Sequence, residues 1–164
     1  MKLKKLLSSA AIAASLLCAG VANAALYQFT VSGAYSASWQ MDSAPTPDLA
    51  PVGLGITFGD VSGVFTNAVS ALADVSFFNS SLGGGMSIED YYGDAFLLIA
   101  DGPQIYQGSE EAPLFSTGTY ALTQYEGTER YTLTISAVPE PATYGMLLAG
   151  MALMAVAARR RHDR

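Results

Sequence analysis

The chain has 164 residues and a formal net charge of −6, but its charge is unevenly placed. Residues 25–137 carry twelve Asp and Glu residues against one base, Arg130, so this stretch alone stands at −11, which disfavours nucleic acid and anionic lipid as partners. The single cysteine, Cys18, and the single histidine, His162, lie outside that stretch, as does every lysine, which excludes disulfides, Cys- or His-ligated metal, Ser-His-Asp triads and Schiff-base lysines from it.

The first 24 residues read as a secretory leader. Lys2, Lys4 and Lys5 form a basic start, an apolar run extends from about Leu6 to Ala19, and Ala22-Asn23-Ala24 supplies the small-x-small ending. This predicts signal-peptidase cleavage between Ala24 and Ala25, with Ala22, Ala24 and Ala25 as its recognition residues. Acylation at Cys18 is the rival reading. It requires a small residue before the cysteine, and Leu17 is large.

Residues 25–137 read as one small exported β domain, long enough for a modest core and too short for two. Tyr27, Phe29 and Val31 alternate with Gln28, Thr30 and Ser32, and Tyr35, Ala37 and Trp39 alternate with serines. Further strands are expected at 63–66, 69–78, 85–88, 91–100 and 117–122. The cleanest alternation is at the end, where Tyr131, Leu133, Ile135 and Ala137 are interleaved with Thr132, Thr134 and Ser136. Breakers fall between these runs: Pro45, Pro47 and Pro51, then Gly83-Gly84-Gly85, Gly102-Pro103, Pro113 and Gly127. Short strands with regular turn signals predict a small antiparallel β-sandwich or jelly roll.

Residues 138–164 change character again. Val138-Pro139-Glu140-Pro141 ends the last strand, because neither proline donates to a ladder and each disfavours helix just before it. Residues 142–158 then run 17 positions without a charge, about 26 Å as a helix. That length is at the short end of the membrane-spanning range. Arg159, Arg160 and Arg161 follow directly and would snorkel to the interface. The expectation is one C-terminal transmembrane helix with a cytoplasmic C-terminus and an outward-facing β domain.

The ordered set of Val138-Pro139-Glu140-Pro141, Ala142-Thr143, an apolar run and Arg159-Arg160-Arg161 resembles the PEP-CTERM sorting tail, also labelled the ice-binding protein C-terminal domain. The resemblance covers residues 138–161 and implies recognition by an exosortase, an integral-membrane cysteine transpeptidase. It further implies processing near the Pro-Glu-Pro motif and delivery to the cell surface, generally in bacteria that make exopolysaccharide. Physically, two prolines hold an extended segment that a protease or transpeptidase cleft accommodates. Residues 25–137 lack the regular Thr-x-Thr ladder expected of a flat ice-binding face. Segments around Ser38–Ser43, Gly83–Gly85 and Gly102–Phe115 are similar to exported proteins that precede such tails, a group that implies no particular chemistry.

Three surface chemistries are open to the β domain. Paired carboxylates among Asp42, Asp74, Glu89, Asp90, Asp94 and Asp101 would serve a glycosidase, but most sit beside glycine, serine or a strand end, where solvated acids are ordinary. Calcium would suit Glu89, Asp90 and Asp94, or Glu110 and Glu111, yet no calcium-loop pattern supports it, and an acidic solubilising surface is the expectation. Aromatic side chains stack on sugars, and Trp39, Tyr91 and Tyr92 are the candidates for glycan contact among sixteen aromatics otherwise expected in the core. Gly83-Gly84-Gly85 lacks the Lys-Ser or Lys-Thr of a phosphate loop, and Asn79-Ser80-Ser81 is a formal glycosylation sequon. The expected protein is non-catalytic, without metal or cofactor. Its expected partners are signal peptidase, exosortase, the membrane and exopolysaccharide, and a carbohydrate-binding module is the alternative.

Overall fold

The computed structural model describes residues 24–139, together with Gly145, Gly150 and Met151. The alternating runs become strands, and all the strand pairings are antiparallel. They are β1 (Leu26–Gly33), β2 (Ala37–Asp42), β3 (Gly55–Phe65), β4 (Leu72–Phe78), β5 (Met86–Asp90), β6 (Ala95–Asp101), β7 (Tyr106–Ser109), β8 (Ala112–Phe115), β9 (Gly118–Gln124) and β10 (Arg130–Ala137). Eight of them close into one barrel in the order β1-β10-β9-β6-β5-β4-β3-β2, while β7 and β8 form a separate hairpin.

Closure is the departure from the expected sandwich or jelly roll. Inward alternation looks the same in both architectures; what differs is that the ring of pairings closes on itself, β1 bonding to β2 on one side and to β10 on the other. Phe29 faces Trp39 on β2 and Ile135 on β10, and Val31 faces Ala37 and Leu133. The seam is narrowest between β6 and β9, where only Ala100↔Gln124 and Asp101↔Thr123 pair. The sequence-predicted transmembrane helix over 142–158 and the leader lie almost wholly outside the described residues. Among the described residues no helix is long and apolar enough to cross a membrane.

An eight-stranded barrel is just wide enough to be filled by side chains. Here the filling is aromatic. Phe29 stacks on Trp39 at 5.3 Å between ring centroids, and Trp39 stacks on Phe65 at 6.0 Å. Phe115, carried by the β7–β8 hairpin, meets Phe29 edge-on at 5.1 Å and Phe77 at 4.9 Å. The hairpin therefore plugs one end of the barrel. Pro113 was expected to break the chain, but it sits within β8 opposite Gly108, and a two-stranded hairpin leaves it an edge where no ladder donor is required.

Two local features fix the remaining geometry. Gly83, Gly84 and Gly85 all adopt positive φ in the β4–β5 connection, and a Cβ on Gly85 would run into the Ala100 carbonyl. In β3 the register with β4 shifts between Phe58 and Val61, a bulge containing Gly59 and Asp60. The expected strand over 91–100 starts later, at Ala95, because Tyr91–Gly93 forms a 3-10 turn. Asp90 caps that turn, accepting from the Gly93 N–H.

Because the barrel strands run alternately up and down, both chain ends of the domain emerge at one end of the barrel. The connections 43–54, 79–85 and 102–117 share that end with Ala25 and Val138, and 34–36, 66–71, 91–94 and 125–129 lie at the opposite end. Replacing the plug residue, Phe115→Ala, should destabilise the domain by about 3–5 kcal/mol, as for a buried phenylalanine deleted from a packed core. Equilibrium urea unfolding checks this, with a fall in midpoint at unchanged slope as the expected result.

Candidate functional site: the sorting junction and the two ends of the barrel

The last strand carries the junction to the C-terminal segment. Ala137 is still in register with Tyr27, and the Val138 N–H donates to the Leu26 carbonyl at 2.9 Å. Pro139 is the first residue free of the ladder; Glu140, Pro141 and Arg159–Arg161 lie outside the described residues. The N-terminal junction is as abrupt. Ala25 is bonded to the barrel through its carbonyl, which accepts from the Ser43 N–H at 2.7 Å, with Ala24 next to it; Ala22 lies outside the described residues.

Around these junctions, a single carboxylate organises three connections. Glu110, at the tip of the β7–β8 hairpin and only 9% exposed, uses Oε1 for three bonds. It accepts from the Asn79 amide at 2.8 Å, the Tyr106 hydroxyl at 3.2 Å and the Gly53 N–H at 3.3 Å. Ser81 Oγ adds a bond to the Gly53 carbonyl, and the Asn79 N–H one to the Leu54 carbonyl. Its own backbone N–H, then Asn79, with smaller help from Gly53 and Tyr106, holds the Glu110 carboxyl below the usual carboxylate range against the opposing effect of burial. Burial, more than any neighbour, raises the Tyr106 hydroxyl in turn.

The sugar-contact candidates separate. Trp39 is 2% exposed and sandwiched between Phe29 and Phe65, so its expected glycan contact is corrected to a core role. The pattern that placed it on an alternating strand already pointed inward. Its Nε1 has no hydrogen-bond partner among the described residues, nor has the Tyr35 hydroxyl, which burial and then the nearby Asp90 charge push up to about 12. Tyr91 and Tyr92 are 67% and 59% exposed, meet edge-to-face at 5.7 Å, and lie at the barrel end away from the sorting junction. The Tyr92 hydroxyl reaches Asp60 at 3.4 Å.

The acids weighed for catalysis or calcium do not assemble. Asp74 accepts from the Asp60 N–H at 2.9 Å and Asp48 from the Gly59 N–H at 2.8 Å, so both satisfy donors that the β3 bulge leaves off the ladder. Asp90 is buried and accepts from the N–H groups of Val69 at 2.6 Å and Gly93 at 3.0 Å. Among the described residues, no three of His, Cys, Asp or Glu come together as a metal-holding group. Sequence reasoning missed Glu110 as an organising residue; a charged residue between two short apolar runs carries no periodic signal.

The family model for the PEP-CTERM protein-sorting motif matches residues 137–161. The chain therefore carries this sorting signal, which supports export and exosortase-dependent sorting to the cell surface by way of the membrane. No curated protein and no solved structure matches the chain.

The depressed Glu110 carboxyl stabilises the fold above the ordinary carboxylate range, and that contribution is lost as pH falls through its lowered folded value. The difference in Tm between the native chain and Glu110→Ala should thus be greatest near neutral pH and shrink in acid. Thermal unfolding followed by circular dichroism between neutral and acid pH measures it. A difference independent of pH would assign Glu110 a packing role alone.

Proposed function

We propose that this protein is a non-catalytic surface or matrix component, exported by its leader, held briefly in the inner membrane by residues 142–158, and released to an exopolysaccharide-rich surface by exosortase. The observation that carries this reading is the sorting motif, which begins on the last residue of the last strand. The fold ends where the signal starts, so cutting near Pro139-Glu140-Pro141 leaves the barrel whole. At the other terminus, a cut between Ala24 and Ala25 leaves Ala25 as the first barrel residue. Signal peptidase and exosortase are the processing partners, and the arginines at 159–161 keep the C-terminus in the cytoplasm until processing.

Mass spectrometry of extracellular material should find chains that start at Ala25 and end near the Pro-Glu-Pro segment. Secreted chains that all still end at Arg164, in cells with exosortase, would refute the processing step. Replacing Arg159, Arg160 and Arg161 together by Gln removes the charges that cost roughly 2.5–3.5 kcal/mol each at a bilayer centre. A cytoplasm-dependent reporter fused after Arg164 should be active in the native chain and lose activity in the triple variant. Periplasmic reporter activity from the native fusion would overturn the topology.

A second reading is favoured by one specific observation, the exposed edge-to-face pair Tyr91 and Tyr92 at the barrel end remote from the tail. In that position the rings face away from the membrane and toward matrix polysaccharide, where aromatic faces stack on sugars. Binding to the cell's own polysaccharide, measured by calorimetry, should fall about tenfold or more in Tyr91→Ala/Tyr92→Ala, a loss on the order of 1.4 kcal/mol. Trp39→Phe should leave it unchanged. Polysaccharide binding untouched by the double substitution would remove Tyr91 and Tyr92 as the contact, and no binding by the native chain would leave the barrel a structural component only.

A further inference from the structure

The loops at the barrel end that carries the sorting junction display a set of apolar side chains. Val52 is 84% exposed, and Leu49, Leu54 and Leu82 are more than half exposed around an apolar groove of about 280 Å³ that also includes Pro51 and Phe78. These side chains are displayed on a braced platform. The 51–54 and 79–82 turns are bonded to each other through Ser81 and Asn79 and to the plug hairpin through Glu110. Exposed apolar tips on a rigid support call for an occupant.

We infer that the 49–54 and 80–82 loops form a lipid-contacting surface that rests on the outer leaflet while the unprocessed tail holds the domain to the membrane. This rests on the reading of residues 142–158 as a membrane span. The chain's own length commits the occupant. Val138 is fixed to β1, and only Pro139, Glu140 and Pro141 separate it from the uncharged run beginning at Ala142. Fully extended, that connection spans no more than about 14 Å. A tether this short brings the junction end of the barrel to the headgroup layer and no other end. Val64, Val69, Tyr91, Tyr92 and Phe96 are exposed as well, but they lie toward the opposite end and cannot reach the same surface. With Arg130 the only base between residues 25 and 137, and that base at the start of β10 away from the junction, nothing here attracts anionic headgroups. The surface suits zwitterionic lipid, entered by apolar side chains. Cleavage of the tail removes the tether, so the contact belongs to the sorting intermediate and is given up on release.

The test uses the unprocessed full chain with Cys18→Ser, taken from cells lacking exosortase and reconstituted into phosphatidylcholine vesicles with brominated acyl chains. A fluorophore is placed at Val52→Cys or, as the remote control, at Tyr91→Cys. The expected result is loss of fluorescence at position 52 relative to unbrominated vesicles, and none at position 91. Equal fluorescence at both positions in chains that co-float with the vesicles overturns the lipid contact while leaving the membrane span intact. Chains that lose the leader and fail to co-float defeat the span and the contact together.

Discussion

The ladder between β1 and β10 is the constraint on which the rest of the molecule depends. Seven residue pairs, from Tyr27↔Ala137 to Gly33↔Tyr131, join the first strand of the domain to the last. Without it the remaining strands form an open sheet, with β1 and β10 as edges and a row of unpaired backbone groups on each. With it, the inward residues Phe29, Val31, Leu133 and Ile135 face one another across a closed interior. The same ladder ties the segment that begins at Leu26 to the strand on which the sorting motif begins. The barrel is complete only once its last strand is present, so the end of the fold and the start of the sorting motif coincide in the chain.

Closure leaves two open ends, and the sequence treats them differently. At the junction end, the β7–β8 hairpin folds inward and sets Phe115 among Phe29, Phe58 and Phe77, while Glu110 on its turn gathers Gly53, Asn79 and Tyr106. One hairpin therefore both fills the barrel and locks the loops outside it. At the other end, among the described residues, no comparable plug is inserted, and short turns leave Tyr91 and Tyr92 displayed. Rigidity near the tail and exposed rings away from it are consequences of the same eight-strand parity.

Much of the wall was legible in the sequence, because period-two alternation is a local signal: β1, β2 and β10 lie where Tyr27, Trp39 and Leu133 predict them. The tail was legible for another reason, its fixed order of prolines, apolar run and arginines. What local pattern does not carry is pairing over long separations. Tyr27↔Ala137 leaves no mark on either segment, so a sandwich and a barrel read alike. The first half of β3 was missed because Gly55, Gly59 and Asp60 interrupt its alternation, and the β7–β8 hairpin because Pro113 argues against a strand unless its edge position is known. Trp39 alternates with the polar Ser38 and Gln40, a period that already points it inward, and its pairing with Phe29 and Gly63 fixes it there.

The surplus of acids takes on a different meaning once their partners are known. Asp48, Asp74 and Asp90 each accept backbone N–H groups that the strand ladders leave unmatched, at the β3 bulge and at the turn after β5. Glu110 does the same for Gly53 at the junction end. A carboxylate held this way has its lone pairs directed at fixed donors, and its removal would leave a buried or bulged backbone N–H unsatisfied. A domain with almost no basic side chains has no guanidinium or ammonium groups to brace its irregular segments, and Asp and Glu take over that task from the acceptor side. The acidity of the barrel is in this way also the means by which its bulges and turns are held.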